Sequence, residues 1–179
     1  LLQAKKIRAD VKSINFRDHK INLNEISLSY ADVNLVYYVA DSALNLQFII
    51  DHFASATIDT TPSSPWLLSC DNLKLRDTHF SMHDEEYANP GGIGIDFSDM
   101  DFSMINLEAK DISFKGDSIM AEIRQLSCKE KSGFTLEDFS THAIVCPRGL
   151  TADKLRITTD KSRLSLDLKF EYDSWNAYN

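Results

Sequence analysis

The sequence predicts a mainly β protein, built as an elongated and mostly antiparallel β-sheet of repeated hairpins with one docked helix near residues 43–55. Three observations predict this fold. Apolar and polar residues alternate with a period of two along most of the chain, which is typical of half-buried strands. Only 6 of the 179 residues are Gly and 4 are Pro, so most of the chain is expected to lie in regular elements. A degenerate hairpin pattern also recurs along the chain.

The clearest strand pattern is the run from Leu164 to Tyr172, in which apolar and polar residues alternate without interruption. Shorter runs of the same kind start near Ile21, Ile26 and Val33, and others follow throughout the chain. Polar stretches such as 17–20 and 115–118 separate them and are typical of hairpin turns. The sequence therefore predicts about ten short strands.

The repeat has a simple frame: apolar-x-apolar, then three to five polar or small residues, then a second alternating apolar run. The stretch that begins at Ile26 resembles the one that begins at Leu73, and looser copies begin at Ile112 and Leu155. A single hairpin cannot bury its apolar side. Stacked copies are therefore expected to form one continuous sheet with one apolar face.

The helix is predicted because Asp41 and Ser42 offer an N-cap and Leu44, Phe48 and Ile49 recur near helical spacing. The stretch 60–65, rich in Thr, Ser and Pro, is the most linker-like part of the chain. It divides residues 1–59, predicted as hairpins plus the helix, from residues 66–179, predicted to continue the same sheet. One domain over 1–179 is the other interpretation.

Composition argues against several classes of partner. The net charge of −8 and the isoelectric point near 5.0 disfavour nucleic acid, whose phosphates require clustered Lys and Arg, and disfavour a basic patch for anionic lipid headgroups. The three cysteines, Cys70, Cys128 and Cys146, lie in apolar runs without CxxC spacing, so small core residues are expected and not a zinc site. With no initiator Met or signal peptide, the first residues are expected to lie inside a longer protein.

The residue patterns argue against catalysis and predict that the chain is not an enzyme. His79 and His83 have i, i+4 spacing, but the run around them alternates like a strand, where four residues span about 13 Å, too far to share one metal ion. The glycines of 91–94 lead into a strand pattern, whereas a phosphate-binding loop leads into a helix. GxSxG and HExxH do not occur.

The apolar face of the predicted sheet has two interpretations. It is either a core covered by the helix and a second sheet, or a groove left partly open for an apolar ligand such as acyl chains, which would gain several kcal/mol per chain at roughly 25 cal/mol per Å². Periodicity alone favours the covered core. The residues predicted to line the groove are Ile26, Leu28, Tyr30, Phe97, Ile112, Phe114, Ile123, Leu164, Leu166, Leu168 and Phe170.

Three stretches, 44–53, 66–81 and 119–134, resemble the AsmA-like and TamB-like cell-envelope proteins of the Bacteroidetes, and the resemblance covers most of residues 20–172. It implies a fragment from the N-terminal half of such a protein, and a curved, β-taco-like sheet with a hydrophobic inner groove. It implies a periplasmic location, a parent protein anchored in the inner membrane, and a role in outer-membrane biogenesis. The implied partners are lipid acyl chains moving between membranes, or client strands of outer-membrane proteins beside a BamA-like barrel. The resemblance also implies no cofactor.

Two alternative functions remain open at the sequence level. A carbohydrate-binding or carbohydrate-active β-solenoid module would use exposed aromatics, for which Tyr37, Tyr38, Trp66 and Trp175 are the candidates. An inert structural spacer would use none of these features and would only hold other parts of a protein apart.

Overall fold

The computed structural model describes residues 2–39, 43–45, 47, 66–87, 94–116 and 118–172. The described residues form one curved, open sheet of nine strands. The strands are β1 (Leu2–Asn15), β2 (Lys20–Tyr38), β3 (Ala43–Leu44), β4 (Leu67–Asp84), β5 (Asp99–Lys115), β6 (Ser118–Glu130), β7 (Thr135–Cys146), β8 (Gly149–Thr159) and β9 (Arg163–Glu171). The mainly β, mostly antiparallel fold predicted from alternation is confirmed.

The order of strands across the sheet is β1-β2-β4-β5-β6-β7-β8-β9. Neighbours run antiparallel except β2 and β4, which pair in parallel from Lys20 opposite Leu67 to Tyr37 opposite Asp84. The two-residue β3 pairs with the end of β2. Strands on both sides of the predicted linker therefore belong to one sheet, while the linker stretch 60–65 itself lies outside the described residues.

The strands are fewer and longer than predicted because β-bulges interrupt their alternation. The runs that start at Ile21, Ile26 and Val33 all belong to β2. Tyr30, Asp77, Met104, Asp111 and Lys154 lie within strands yet have φ between 44° and 52°, and most of these positions coincide with register shifts. A bulge adds one residue to a strand. If odd-numbered residues face the apolar side before the bulge, even-numbered residues face it afterwards. A break in the apolar–polar alternation, which in the sequence resembles the end of a strand, is thus a bulge inside one long strand.

The predicted docked helix is not seen. Its first residues, Ala43 and Leu44, form β3, and Asn45 lies in a turn whose backbone N–H donates to the carbonyl of Val36 (2.8 Å). Apart from Gln47, the rest of 43–55 lies outside the described residues. The N-terminal part of the predicted helix pairs with the tyrosines at the end of β2, where edge hydrogen bonds compete with helical spacing.

The core of the sheet consists mainly of small and branched side chains on one face. The best-packed cluster is Leu23, Cys70, Ala109 and Ile112, against which Ile26 and other partly buried residues pack. All three cysteines are free thiols, two of them buried. Every strand described belongs to this one sheet, so no described element packs as a second layer across its apolar face.

Candidate functional site

The register of the strands aligns apolar side chains into rows that cross the whole sheet. Directly opposed residues on neighbouring strands point to the same face. One row, here called the tip row, crosses all eight principal strands without a polar residue. Its members are Ile14, Ile21, Leu68, Phe114, Ile119, Val145, Leu150 and Phe170.

A second complete row lies further along the strands and is here called the mid row. It also crosses all eight strands, again with only apolar residues. Its members are Ile7, Leu28, Leu75, Leu107, Leu126, Phe139, Ile157 and Leu164. Seven residues of β2 separate the two rows, or about 23 Å, and eight strands span about 34 Å.

Small and mostly buried residues, here called the floor residues, lie between these two rows. Ala121, Ala143 and Ala152 follow one another across β6, β7 and β8, and end on Leu168 of β9. Cys70 and Ala109 occupy the corresponding part of β4 and β5, and both are buried. The floor of the apolar face is thus made of smaller side chains than the two rows that flank it.

Exposure changes systematically across this face. Ile112, which lies beside Cys70 between the two rows, is only 7% exposed, whereas Phe114 and Ile119 in the tip row are 38% and 42% exposed. Residues on the edge strands, such as Ile7 and Phe170, are exposed as well. The middle of the apolar face is therefore packed and buried. Its rim, which consists of the tip row and the edge strands β1 and β9, is accessible.

The structure brings together all but two of the residues predicted to line a groove. Leu28, Leu164, Phe114 and Phe170 belong to the two complete rows, and Ile112 lies beside Cys70 on the floor. The remaining predicted residues in register on this face are Ile26, Ile123, Leu166 and Leu168.

Tyr30 and Phe97 do not join these rows. Tyr30 occupies a bulge with φ 52°, its neighbour Ala31 takes the place beside Ala4, and Lys5 Nζ lies 5.1 Å from the Tyr30 ring centroid. Phe97 lies in a turn before β5 and is exposed. The predicted strand at Ile95 and Phe97 is wrong, since β5 begins only at Asp99.

Sequence reasoning missed the small floor residues and six of the eight residues in each row. Ala109, Ala121 and Ala152 carry too little hydrophobicity to stand out in an alternating pattern. The signal that would have found them is the spacing i, i+2, i+5, i+7, because each bulge shifts the apolar parity by one residue. Ile21, Leu23, Ile26 and Leu28 in β2 show that spacing.

The opposite face is polar and laterally hydrogen-bonded. Asn22 donates to Ser13 Oγ (2.8 Å) and accepts from Ser69 Oγ (2.7 Å), which links β1, β2 and β4. Lys74 pairs with Glu25 across β2 and β4 (2.9 Å), and this contact holds the pKa of Glu25 below its ordinary value. The two faces of the sheet are thus chemically distinct.

The two histidines of β4 pair with separate aspartates on this polar side of the molecule. His79 Nε2 lies 2.9 Å from Asp101, and its Nδ1 lies 3.3 Å from Asp32. The Asp101 hydrogen bond is the largest cause that raises the pKa of His79, with Asp32 adding to it. His83 lies 3.2 Å from Asp99. Among the described residues, no group of three or more His, Cys, Asp or Glu side chains is arranged to hold a metal ion.

A cavity of about 500 Å³ opens between β6, β7 and β8, and charged side chains line much of it. Arg124 pairs with Glu122 at 3.2 Å, and His142 Nδ1 lies 3.8 Å from Asp153, while Lys154 and Arg156 complete the charged part of the lining.

The apolar face ends at a buried carboxylate. Glu130 lies opposite Phe102 at the end of β6 and is 3% exposed. Its Oε2 accepts the Ser132 N–H (2.7 Å), while its Oε1 has no hydrogen-bond partner. Burial raises the pKa of Glu130, but the hydrogen bonds from Ser132 outweigh it and the pKa lies below its ordinary value.

Comparison with known proteins identifies no relative, since no protein family, curated protein or solved structure matches the chain significantly. Within the described ranges, no helix has the length and apolarity needed to cross a membrane.

Proposed function

We propose that the chain is a non-catalytic lipid-binding segment whose apolar face takes up acyl chains. The wider setting, a periplasmic protein of outer-membrane biogenesis that moves lipid between membranes, is supported by the sequence resemblance to AsmA-like and TamB-like proteins. No cofactor is needed for this role, because acyl chains bind through apolar contact alone.

One observation carries the proposal: two uninterrupted apolar rows cross all eight strands, and their rim residues are accessible. The area between the rows is roughly 750 Å² in plan, from the strand spacing and rise. Part of this area is exposed, on the tip row and on the edge strands, and contiguous exposed apolar surface commonly marks a binding site. An acyl chain that buries several hundred Å² on such a face gains several kcal/mol at about 25 cal/mol per Å².

The edges of the sheet favour lipid over an unfolded β-strand client. β1 has a strand partner on one side only among the described residues, so its other side is a possible pairing edge. However, Lys5, Lys6 and Lys12 lie on this strand, and charged lysines on an edge discourage the addition of a further strand. Assistance to outer-membrane protein assembly is thus the second candidate, supported by the open edges alone.

The placement of the aromatic residues gives the carbohydrate alternative less support than the apolar rows give the lipid role. Trp66 precedes β4 at one end of the sheet, whereas Tyr37 and Tyr38 end β2 at the other, about 55 Å away. Sugar-binding aromatics work as adjacent platforms, which these residues do not form. Trp175 lies outside the described residues.

Matched charge substitutions on the two faces test the proposal. Phe114 on the apolar face and Met120 on the opposite face are both 38% exposed and lie on adjacent strands. Ile119 (42%) and Ile144 (37%) form a second matched pair. Each residue is replaced by Asp, and binding of a fluorescent long-chain fatty acid is titrated.

The proposal predicts that Phe114→Asp and Ile119→Asp weaken fatty-acid binding at least tenfold. The introduced carboxylate must be desolvated when the acyl chain covers it. Met120→Asp and Ile144→Asp should leave binding within about twofold, since they lie on the other face. Equal effects on both faces, or no binding by the unaltered chain together with no lipid extracted from purified protein, would reject the lipid role. Saturable binding to a glycan array would favour the carbohydrate alternative, and neither activity would favour the spacer.

A further inference from the structure

One end of the sheet gathers exposed aromatic and basic side chains. The β1–β2 turn, the start of β4, the β5–β6 turn and the β7–β8 turn all lie at this end, because Asn15, Lys20, Leu67 and Lys115 follow one another in register. This end, here called the basic end, is defined by Phe16, Arg17, Lys20, Trp66, Lys115 and Arg148.

The aromatic residues of the basic end form a fixed cluster. Phe16 is 75% exposed and Trp66 is 43% exposed, and their rings meet edge to face with centroids 6.3 Å apart. The His19 ring stacks on Trp66 at 5.1 Å, and the Leu67 N–H donates to the His19 carbonyl (2.8 Å). Such a fixed, water-exposed pair of large rings is costly in water and suits a half-apolar environment.

Four cations of this end, Arg17, Lys20, Lys115 and Arg148, outnumber the two described carboxylates beside them, Asp18 and Glu171. Arg17, Lys20, Lys115 and Arg148 are all exposed, and none forms an ion pair within the described part of the chain. The far end carries more acidic residues, namely Asp84, Glu85, Glu86, Asp96, Asp99 and Asp160, of which Asp99 and Asp160 pair with Lys131 and Lys161. The net charge of −8 therefore conceals a molecule with a basic end and an acidic end about 60 Å apart.

We propose that the basic end docks on the surface of an anionic lipid bilayer. Tryptophan and neighbouring cations are the side chains that favour the headgroup region, where the ring lies among the headgroups and the cations meet lipid phosphates. Repulsion of the acidic end then holds the strands upright on the surface. In that orientation the tip row, with Phe114 and Ile119 exposed, is the part of the apolar face nearest the bilayer.

This docking goes beyond acyl-chain binding and does not depend on it. The net charge alone disfavours anionic headgroups, but the register concentrates basic residues where the summed composition cannot show them. Each cation near an anionic surface changes binding about fivefold, so a few suffice when aromatic residues add to them.

Sedimentation with vesicles tests the docking. The full chain is mixed with vesicles of equal parts phosphatidylglycerol and phosphatidylcholine, and separately with pure phosphatidylcholine. In a Trp175→Phe background, Trp66 is the sole tryptophan and its emission reports entry into the headgroup region. The double variant Arg17→Gln/Lys20→Gln removes two cations from the basic end, and Lys161→Gln/Arg163→Gln removes two from the other end as the matched control.

The expected result is binding to the anionic vesicles with a blue shift of Trp66, and weaker binding to phosphatidylcholine. Arg17→Gln/Lys20→Gln should reduce binding about 25-fold, and the control pair less than about twofold. Phe16→Ala should reduce binding without changing its dependence on salt. Equal loss from both double variants, equal binding to both kinds of vesicle, or binding to nucleic acid but not to vesicles would each overturn the proposal.

A groove variant separates the two proposals. Leu164→Asp lies in the mid row, far from the basic end, and should abolish fatty-acid binding while vesicle binding persists. If vesicle binding is absent but fatty-acid binding is normal, docking fails and the lipid role stands. The reverse result would reject the lipid role alone.

Discussion

Truncating one isoleucine on the packed floor and one on the accessible rim should give different losses of stability. Ile112 is 7% exposed and packs with Leu23, Cys70 and Ala109, while Ile119 on the next strand is 42% exposed. Ile→Ala removes three carbon groups, worth about 0.8 kcal/mol each when fully buried. Scaled by burial, this is about 2.2 kcal/mol for Ile112→Ala and about 1.4 kcal/mol for Ile119→Ala.

The void that Ile112→Ala leaves widens this difference in unfolding free energy between the two variants. Neighbours enclose Ile112, so its truncation also leaves a void and the total cost should reach about 3 kcal/mol. Ile119 faces the open side, where water fills the space and no void remains. Urea unfolding should therefore separate the two variants by about 1.5 kcal/mol at equal denaturant slopes. Equal losses would mean that another layer covers the rim, and the interpretation of an accessible face would fail.

Three further predictions concern the bulges, the histidines and the thiols. Lys154 has φ 52°, so Lys154→Gly should raise the unfolding free energy by about 0.5–1 kcal/mol, whereas Arg156→Gly in regular strand should lower it by a similar amount; urea unfolding measures both. The hydrogen bond that His79 donates to Asp101 raises the pKa of His79, so the stability that His79 adds over a His79→Gln variant should be complete below about pH 6.5 and be lost as pH rises through the raised pKa. Unfolding at about pH 5.5 and about pH 8.5 tests the sign, and a larger difference in unfolding free energy at the higher pH would contradict it. Cys146, the thiol that is not buried, should react with a thiol reagent before the other two under native conditions, and simultaneous reaction of all three would contradict the described burial.

Alternation predicted the fold class because side-chain direction in a strand depends only on local backbone geometry. The run from Leu164 to Phe170 contains no bulge, and the sequence identifies its apolar side directly. In β2, by contrast, the same reasoning split one strand into several. Bulges such as that at Tyr30 depend on pairing with neighbouring strands, which lie far away in the sequence.

The parallel pairing of β2 with β4 could not be predicted from the hairpin repeat, which implies antiparallel neighbours throughout. Lys20 opposite Leu67 is a contact between residues distant in sequence, and no turn motif specifies it. The helical spacing was also misleading at Ala43 and Leu44, where backbone groups at the end of β2 pair with β3. Local propensity is a weak guide where a sheet edge offers hydrogen bonds.

The basic end could not be inferred from composition. Arg17, Lys115 and Arg148 are far apart in the sequence and lie in or beside three different turns. Only the strand register brings these turns to one end of the sheet. Net charge describes the sum of the charges, whereas docking depends on their arrangement in space.

Mapping the contacts of a photoreactive fatty acid tests the central claim, an apolar face open to acyl chains, most directly. The probe carries its reactive group at the end of the chain, and labelled residues are identified by mass spectrometry after irradiation. Labels are expected on Phe114, Ile119, Leu168 and Phe170, where the rim of the apolar face is exposed, and unlabelled fatty acid should compete for them. Labels concentrated on Met120 and Ile144 of the opposite face, or labels that competition does not reduce, would contradict the account.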